Sequence, residues 1–330
     1  MQIANRLPRS TRNAPRPGTP PRTHDPAARS GDRGTAAGRN TYIVTRERIR
    51  AFADITHNNH PIHHSDAVAR DYGYPAPAAP PTFAALAMVR AQHDAVRILA
   101  PGIGPDALLH TRQTLHIRRL LVAGDVVTTD IRIRSIRATA DYASVEAQAV
   151  LTDHEGQVVQ SGSSSLHVCV PPGAAPPAEL LTGIRDTAAT AVPEPVKSHD
   201  HTMFRPGLPL PRRTFPMRSA DPERYAALCT PTRTAPDPHA RSGPPPGMMR
   251  LALTAGYLSS CLGDPAAVSR YEAEFTHYSG MPGRAVHPVE ISGRVIAVDE
   301  RCAAVVELDG RCLDRRLFIR AHAVLRPPHH

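Results

Sequence analysis

Apolar residues with helical spacing mark two segments in the first third of the chain. Ile49, Phe52 and Ala53 recur at intervals of three and four residues behind Thr45, which predicts a capped amphipathic helix. A longer apolar run covers residues 83–99 and opens with seven apolar residues in succession. Because such a helix has no polar face, we expect other elements to enclose it.

Apolar and polar residues alternate along the segments that follow the long helix, as they do in half-buried strands. The alternating segments are 115–117, 127–133, 145–151 and 158–168, with turns at 124–125 and 154–157. A buried helix followed by an antiparallel meander predicts an α+β unit in which a sheet curls around the helix.

The same order of elements occurs a second time, about 160 residues further along the chain. This repeat comprises a short helix, a long apolar helix and four strands, at 221–228, 248–262, 271–276, 289–298, 303–308 and 317–325. Internal duplication of this kind predicts two similar domains. We place the boundaries at a tail (1–40), an N-terminal domain (41–170), a linker (171–212) and a C-terminal domain (213–330).

The positive charge is concentrated at the start of the chain. The net charge is +9, and residues 1–39 contribute +6 through eight Arg and two Asp, which leaves +3 for the rest. A basic, proline-rich tail without aromatic residues is typical of solvated disorder, so we do not expect nucleic-acid binding. The tail lacks the apolar region of a secretory signal, and no apolar run reaches the roughly 18 residues that span a membrane. The composition therefore predicts a soluble, cytoplasmic protein.

A loop rich in histidine (Thr56–His64, hereafter the His-rich loop) follows the first helix and contains four imidazoles and two amides. Three interpretations compete. His57, His60 and His63 could bind a metal, although Pro61 disfavours the helix that this spacing needs. The histidines could instead be solvated loop residues. Alternatively, one of them could be a general acid–base beside an amide that orients water. The five Cys include no CxxC pair, so a zinc ribbon is not expected.

The His-rich loop resembles the hydratase signature of MaoC-like hot-dog proteins, which is roughly Gly-Asp-x-Asn-Pro-Ile-His. This chain reads His57-Asn58-Asn59-His60-Pro61-Ile62-His63. The resemblance assigns the catalytic His to His63 and the catalytic Asp to Asn58, where an amide replaces the carboxylate. One subset, the mitochondrial type 2 hydroxyacyl-thioester dehydratases and mesaconyl-C4-CoA hydratases, is similar here with Thr-Phe-Asn-x-His-Arg-Ile-His. The match to Thr56, Asn58 and His60 favours a variant active site, with His60 as a third candidate residue.

A second motif, Ala79-Pro80-Pro81-Thr82-Phe83, opens the long apolar helix. It resembles the Ala-Pro-Pro-Thr-Phe of N-terminal MaoC-like dehydratase domains, where catalytic relatives have Ala-His-Gly-Met. In those relatives, N–H groups at the helix N-terminus polarise the thioester carbonyl. Because two prolines remove two donors, the N–H of Thr82, directly after Pro81, is the first candidate. The motif is equally typical of a plain helix start.

The C-terminal domain matches the hydratase signature poorly. Thr234 stands where the resemblance expects the Asp, and His239 could match the His. Only six residues separate His239 from Pro246, against 16 between His63 and Pro80. We therefore expect this domain to be structural, forming part of an acyl tunnel and a dimer-like interface.

The resemblance implies a double hot-dog protein with two antiparallel sheets, each wrapped around a central helix. It implies reversible hydration of trans-2-enoyl thioesters of CoA or acyl carrier protein, in fatty acid or polyketide metabolism. His63 would take the α-proton, Asn58 would hold the water and the N–H of Thr82 would stabilise the enolate oxygen. Because the thioester acidifies the α-carbon, no metal or other cofactor is implied. Two alternatives stay open: a non-catalytic acyl-binding subunit, in a homodimer or beside a partner dehydratase, and a hot-dog thioesterase.

Overall fold

The computed structural model of the chain describes eight segments: residues 35–99, 108–138, 142–169, 204–229, 246–276, 286–300, 302–313 and 315–326. Residues 33–330 belong to one compact unit. The α-helices of the described segments are α1 (Arg46–Ile55), α2 (Asp66–Asp71), α3 (Ala85–Leu99), α4 (Asp221–Cys229) and α5 (Gly247–Leu262). None of these five helices is long and apolar enough to span a membrane.

The strands of the same segments form one continuous sheet. They are β1 (Thr35–Ile43), β2 (Leu108–Ile117), β3 (Val126–Ala138), β4 (Tyr142–Thr152), β5 (Val158–Cys169), β6 (Pro209–Arg218), β7 (Val268–Phe275), β8 (Val286–Val298), β9 (Ala304–Cys312), β10 (Arg315–Arg316) and β11 (Phe318–Leu325). Their order across the sheet is β1-β3-β4-β5-β2-β7-β11-β9-β8-β6, with β10 paired to β9.

The sheet order repeats itself from its two edges inward, which confirms the predicted internal duplication. From one edge the order is β1-β3-β4-β5-β2, and from the other it is β6-β8-β9-β11-β7. Each of these ten strands therefore has a counterpart in the same structural place, and β10 is an addition to the second half. We call residues 35–169 the first half and residues 204–326 the second half.

The two halves meet where β2 pairs with β7. This pairing is antiparallel and runs from Arg112 opposite Glu274 to His116 opposite Arg270. The prediction of two separate sheets is therefore wrong in this respect, because the halves join edge to edge into a single sheet. An unpaired edge leaves backbone N–H and C=O groups without partners, and pairing β2 with β7 satisfies both edges at once.

The predicted domain boundaries shift at two strands. β1 begins at Thr35, six residues before the predicted start at Thr41. β6 begins at Pro209, inside the predicted linker, and its sequence contains three prolines. Both strands lie at an edge of the sheet, where a missing N–H is tolerated. Neither has regular alternation of apolar residues, so pairing with β3 and β8 decides their conformation.

Short-range capping signals fix three of the helix ends. The side chain of Thr45 accepts a hydrogen bond from Arg48 N at the start of α1, and Ser65 caps α2 in the same way. Gly263 ends α5 with a φ of 70°, in the left-handed region that glycine adopts without strain. These ends depend on neighbouring residues alone, and the cap at Thr45 was predicted from the sequence.

Aliphatic side chains fill most of the core, and aromatic rings bridge the two halves within it. The ring of Phe52 on α1 lies 5.4 Å from that of Phe83 and 5.8 Å from that of Tyr225 on α4. The helix α5 is buried from Gly247 to Ser259. The enclosure predicted for the apolar helices is thus most complete in the second half.

Candidate functional site

The His-rich loop follows α1 directly and folds back in one short helical turn. His57 has a φ of 54°, which turns the chain sharply after the helix. Pro61–His63 then form a single 3-10 turn. The N-cap of this turn is His60, whose Nδ1 accepts a hydrogen bond from Ile62 N at 3.3 Å. A left-handed residue and a capped turn place Asn58 and His63 on the inner side of the loop, where both are fully buried.

The imidazole of His63 is held in one tautomer. Its Nδ1 lies 2.6 Å from the carbonyl oxygen of Ala78, and a carbonyl can only accept, so Nδ1 carries the proton. In the neutral ring, Nε2 is then an acceptor. This Nε2 is buried and has no hydrogen-bond partner among the described residues. Burial lowers the pKa of His63 to about 4, so the ring is neutral near pH 7 with a lone pair available on Nε2.

The amide of Asn58 is held by its nitrogen. Nδ2 donates towards Thr56 O (3.1 Å), Thr56 Oγ1 (2.8 Å) and Ala252 O (3.3 Å). Thr56 Oγ1 in turn donates to Phe52 O at 2.6 Å, so it has a lone pair to offer the amide. Two of the three acceptors are carbonyls, which fixes the amide with its nitrogen towards them. Oδ1 is consequently the free end, buried and without a partner in the described part of the chain.

The start of α3 is a tight turn, and the helix itself begins at Ala85, two residues later than predicted. Phe83 N donates to Pro80 O at 2.9 Å and Ala85 N donates to Thr82 O at 3.0 Å, both spacings of three residues. These bonds use N–H groups that an ideal helix start would leave open. The side chain of Thr82 is fully buried, and its Oγ1 has no partner within the described segments.

Gln160 braces this turn and was not foreseen from the sequence. It lies on β5, and its Nε2 donates to Pro81 O at 3.3 Å and to Arg119 O at 3.5 Å. Its Oε1 is buried and has no partner among the residues described. The sequence of β5 gives no signal for this role, because Gln160 lies among several other polar residues.

His60 and His57 have structural contacts that the sequence did not predict. His60 uses both nitrogens, because Nε2 donates to Gly263 O at 3.0 Å while Nδ1 caps the turn. His57 Nε2 donates to Pro216 O on β6 at 2.8 Å. His60 therefore has no ring nitrogen free for proton transfer, which corrects its predicted place among the catalytic residues.

The metal interpretation of the His-rich loop does not fit the directions of its side chains. His57, His60 and His63 each hydrogen-bond a different backbone carbonyl. Within the described ranges, no cluster of three or more His, Cys, Asp or Glu side chains is arranged to hold a metal ion. The solvated-loop interpretation fails for His63, which is fully buried.

The predicted counterpart of this site in the second half, Thr234 with His239, lies outside the described residues. Within them, the second half contributes the carbonyls of Pro216, Ala252 and Gly263, which accept hydrogen bonds from the His-rich loop. It also contributes the Phe215 ring, whose centroid lies 5.7 Å from that of the His57 ring. The site of the first half is therefore built against the second half. These three acceptors could not be predicted from the sequence, because every residue has a backbone carbonyl and the residue type does not show which carbonyl will accept.

Comparison of sequences relates the first half to a known family. A family described as "FAS1-like, dehydratase domain region" matches residues 32–161. A UPF0336 protein of Saccharopolyspora erythraea is 35% identical over 127 residues, which cover 38% of this chain and 80% of that protein. A UPF0336 protein of Mycobacterium tuberculosis is 32% identical over 118 residues, covering 36% of this chain and 71% of that protein.

Comparison of folds extends the similarity to both halves. A solved MaoC-like dehydratase superposes with a TM-score of 0.68 at 20% identity, covering 89% of this chain and 98% of its own. A protein of Mycobacterium tuberculosis described as having a double hot-dog fold superposes with a TM-score of 0.60 at 14% identity, over 88% of this chain and 96% of its own. A putative MaoC domain dehydratase of Chloroflexus aurantiacus gives a TM-score of 0.59 at 13% identity, with 92% and 100% covered.

Proposed function

Since this chain belongs to the UPF0336 family and is a MaoC-like double hot-dog protein, we propose that it interconverts 3-hydroxyacyl and trans-2-enoyl thioesters by removing or adding water. The site of this reaction is the first half, at His63, Asn58 and Thr82. The acyl group arrives as a thioester of CoA or of an acyl carrier protein.

The single observation that carries the proposal is the state of the His63 ring. A general base needs a free lone pair at a fixed position. The bond from Nδ1 to Ala78 O supplies the fixed position, and the unpartnered, buried Nε2 supplies the lone pair. His60 in the same loop has both ring nitrogens engaged and offers no such lone pair.

In the dehydration direction, Nε2 of His63 takes the proton from the α-carbon of the 3-hydroxyacyl thioester. The electron pair of that C–H bond moves towards the thioester carbonyl and forms an enolate, which then collapses to the new double bond as the bond between the β-carbon and its hydroxyl oxygen breaks. The imidazolium then returns the proton to the departing hydroxyl, so water leaves and His63 is neutral again. Burial disfavours the charged ring, which makes it a ready donor for this return step.

Asn58 and Thr82 hold the two oxygens that change charge. Oδ1 of Asn58 accepts a hydrogen bond from the hydroxyl group or the water, and thereby orients it. The N–H of Thr82, with its unpartnered Oγ1 beside it, is the donor for the enolate oxygen. Phe83 N is engaged with Pro80 O, so it does not serve this purpose. All three side chains are fully buried, and the reaction is thereby kept apart from bulk water.

A non-catalytic acyl-binding subunit is the second candidate function. The observation in its favour is the amide at position 58, which orients water but cannot take a proton from it. The thioesterase alternative has less support, because a thioesterase needs a buried carboxylate near the thioester. Asp54 and Asp66 flank the His-rich loop in the sequence, but Asp54 is exposed to solvent and Asp66 is paired with Arg46 at the surface.

The test follows the enoyl-thioester absorbance with crotonyl-CoA and with a longer enoyl-CoA. We expect the wild type to consume the enoyl signal and His63→Ala to be slower by at least about 100-fold, the usual contribution of a general base. The matched control is His154→Ala, whose ring is exposed in a hairpin turn far from the loop and should leave the rate unchanged.

Two outcomes would overturn the proposed reaction. A folded wild type without turnover on either substrate would favour the acyl-binding subunit, and binding of the same thioesters would then be measured by calorimetry. A His63→Ala variant as active as the wild type would place the chemistry elsewhere in the chain.

A further inference from the structure

The helix α5 of the second half passes unusually close to the His-rich loop of the first half. A Cβ atom at Gly256 would lie 2.7 Å from His57 O and 2.9 Å from Thr56 O. Real Cβ contacts are not that short, and both neighbours are backbone atoms that cannot rotate away. The helix α5 can therefore lie this close to the His-rich loop only because residue 256 has no side chain.

The close approach brings a hydrogen-bond acceptor to the proposed site. Ala252 lies one helical turn before Gly256, and its carbonyl oxygen accepts from Asn58 Nδ2 at 3.3 Å. The other two acceptors of that amide belong to Thr56, in the loop itself. Among the described residues, Ala252 O is therefore the one contact that ties the orientation of the Asn58 amide to the second half.

Two further bonds hold the loop on either side of Asn58. His57 donates to Pro216 O on β6, and His60 donates to Gly263 O at the end of α5. All three bonds end on backbone carbonyls of the second half, so they do not depend on which side chains that half retains. A half that has lost the hydratase signature can still supply them.

We propose that Gly256 is a positioning residue of the first-half site, and that the second half acts as the scaffold which sets the free Oδ1 of Asn58 in place. The inference rests on the proposed function for its catalytic consequence, but its structural content stands on the contacts alone. Gly256→Ala would push α5 and the loop apart by a few tenths of an ångström or more, and lengthen the bond from Asn58 to Ala252.

The first experiment needs no variant. Exchange of the side-chain amide hydrogens of Asn58 and Asn59 with solvent would be compared by NMR in the wild-type protein. Asn58 is buried and bonded, whereas Asn59 is exposed, so we expect much slower exchange at Asn58. Equal exchange at the two residues would overturn the proposal, whether or not the protein turns over any thioester.

The second experiment compares Gly256→Ala with Gly293→Ala. At Gly293 the three atoms nearest to a new Cβ are side-chain atoms of Val306, Leu210 and Tyr257, at 3.0 to 3.3 Å, so that variant is the control for adding a methyl group to the same half without a backbone clash. We expect Gly256→Ala to speed exchange of the Asn58 amide and to lower kcat by about 100-fold, while KM changes little. Gly293→Ala should leave both unchanged.

A double-mutant cycle separates positioning from general destabilisation. If Gly256 acts through Asn58, Gly256→Ala should have little further effect on kcat in an Asn58→Ala background, within about twofold. Full additivity of the two losses would overturn the positioning role. A wild type with no turnover would remove the proposed function, and the exchange rate at Asn58 in the Gly256→Ala variant would then decide the positioning role alone.

Discussion

The two long helices α3 and α5 occupy equivalent places in the two halves, yet they begin differently. α3 is preceded by a tight turn that buries the unpartnered hydroxyl of Thr82. α5 starts directly at Gly247, where a Cβ would come within 2.8 Å of the Phe275 ring, and Pro246 before it makes no side-chain cap. The start of α3 therefore has a buried polar atom, Thr82 Oγ1, whereas the Phe275 ring packs against the start of α5.

The difference shows how two copies of one fold can diverge in what they contribute. In the His-rich loop and the turn before α3, side-chain atoms of His63, Asn58 and Thr82 lack a partner among the described residues, and these atoms carry the proposed reaction. The second half presents backbone carbonyls to the loop that contains two of them. Backbone acceptors do not depend on side-chain identity, so the second half can make these contacts although it matches the hydratase signature poorly. Three predictions test this division.

The largest effect is expected where the halves share their core. Phe52→Ala removes a ring that contacts Phe83 in the first half and Tyr225 in the second, and we expect a loss of about 3–5 kcal/mol in the free energy of unfolding. Because the chain has no Trp, urea unfolding would be followed by circular dichroism. Ile319→Ala, at a side chain that is 53% exposed, is the control and should change stability by no more than about 0.5 kcal/mol.

Two separated transitions in the unfolding curve of Phe52→Ala would contradict a core shared by the two halves. The halves would then be independent units, and a scaffold role for the second half would lose its basis. A single transition at lower urea concentration is the expected result.

The second prediction concerns the pH dependence of stability that His63 of the first half causes. The folded pKa of His63 is about 4 and lies below the ordinary value of 6.5, because burial disfavours the charged ring. The unfolded chain therefore binds this proton first, and stability falls as the pH drops from about 6.5 towards 4. The shift corresponds to about 3 kcal/mol at most. His63→Gln should reduce this pH dependence, whereas His154→Gln, at an exposed ring, should leave it intact. Identical pH dependence in wild type and His63→Gln would contradict the buried, neutral ring.

The smallest effect tests whether the site is built for an amide. Asn58→Asp would turn a carboxyl group towards two carbonyl oxygens, and we expect a loss of about 1–3 kcal/mol from the unmatched polar atoms. Burial would raise the pKa of this carboxyl in the folded protein, so the variant should be less stable at pH 8 than at pH 5. Asn59→Asp, at the exposed neighbour, is the control and should be nearly neutral. A variant as stable as the wild type, with faster turnover, would mean that the site tolerates an ordinary carboxylate.

Much of the local structure could be predicted because it depends on neighbouring residues. Thr45 and Ser65 cap the helices that follow them, and Gly263 ends α5 with a positive φ. The edge strands β1 and β6 escaped prediction, since their conformation comes from pairing with β3 and β8. The joining of the two halves through β2 and β7 escaped it for the same reason.

The candidate site divides in the same way. The sequence by itself determined which side chains are available, because the spacing of Asn58 and His63 in the loop and of Thr82 at the helix start follows a recognisable pattern. Only the tertiary structure decided which atom of each is free. Ala78 O fixes the tautomer of His63, and Ala252 O helps to fix the amide of Asn58. These acceptors are backbone carbonyls distant in sequence, and every residue has one, so their place is set by how the chain packs.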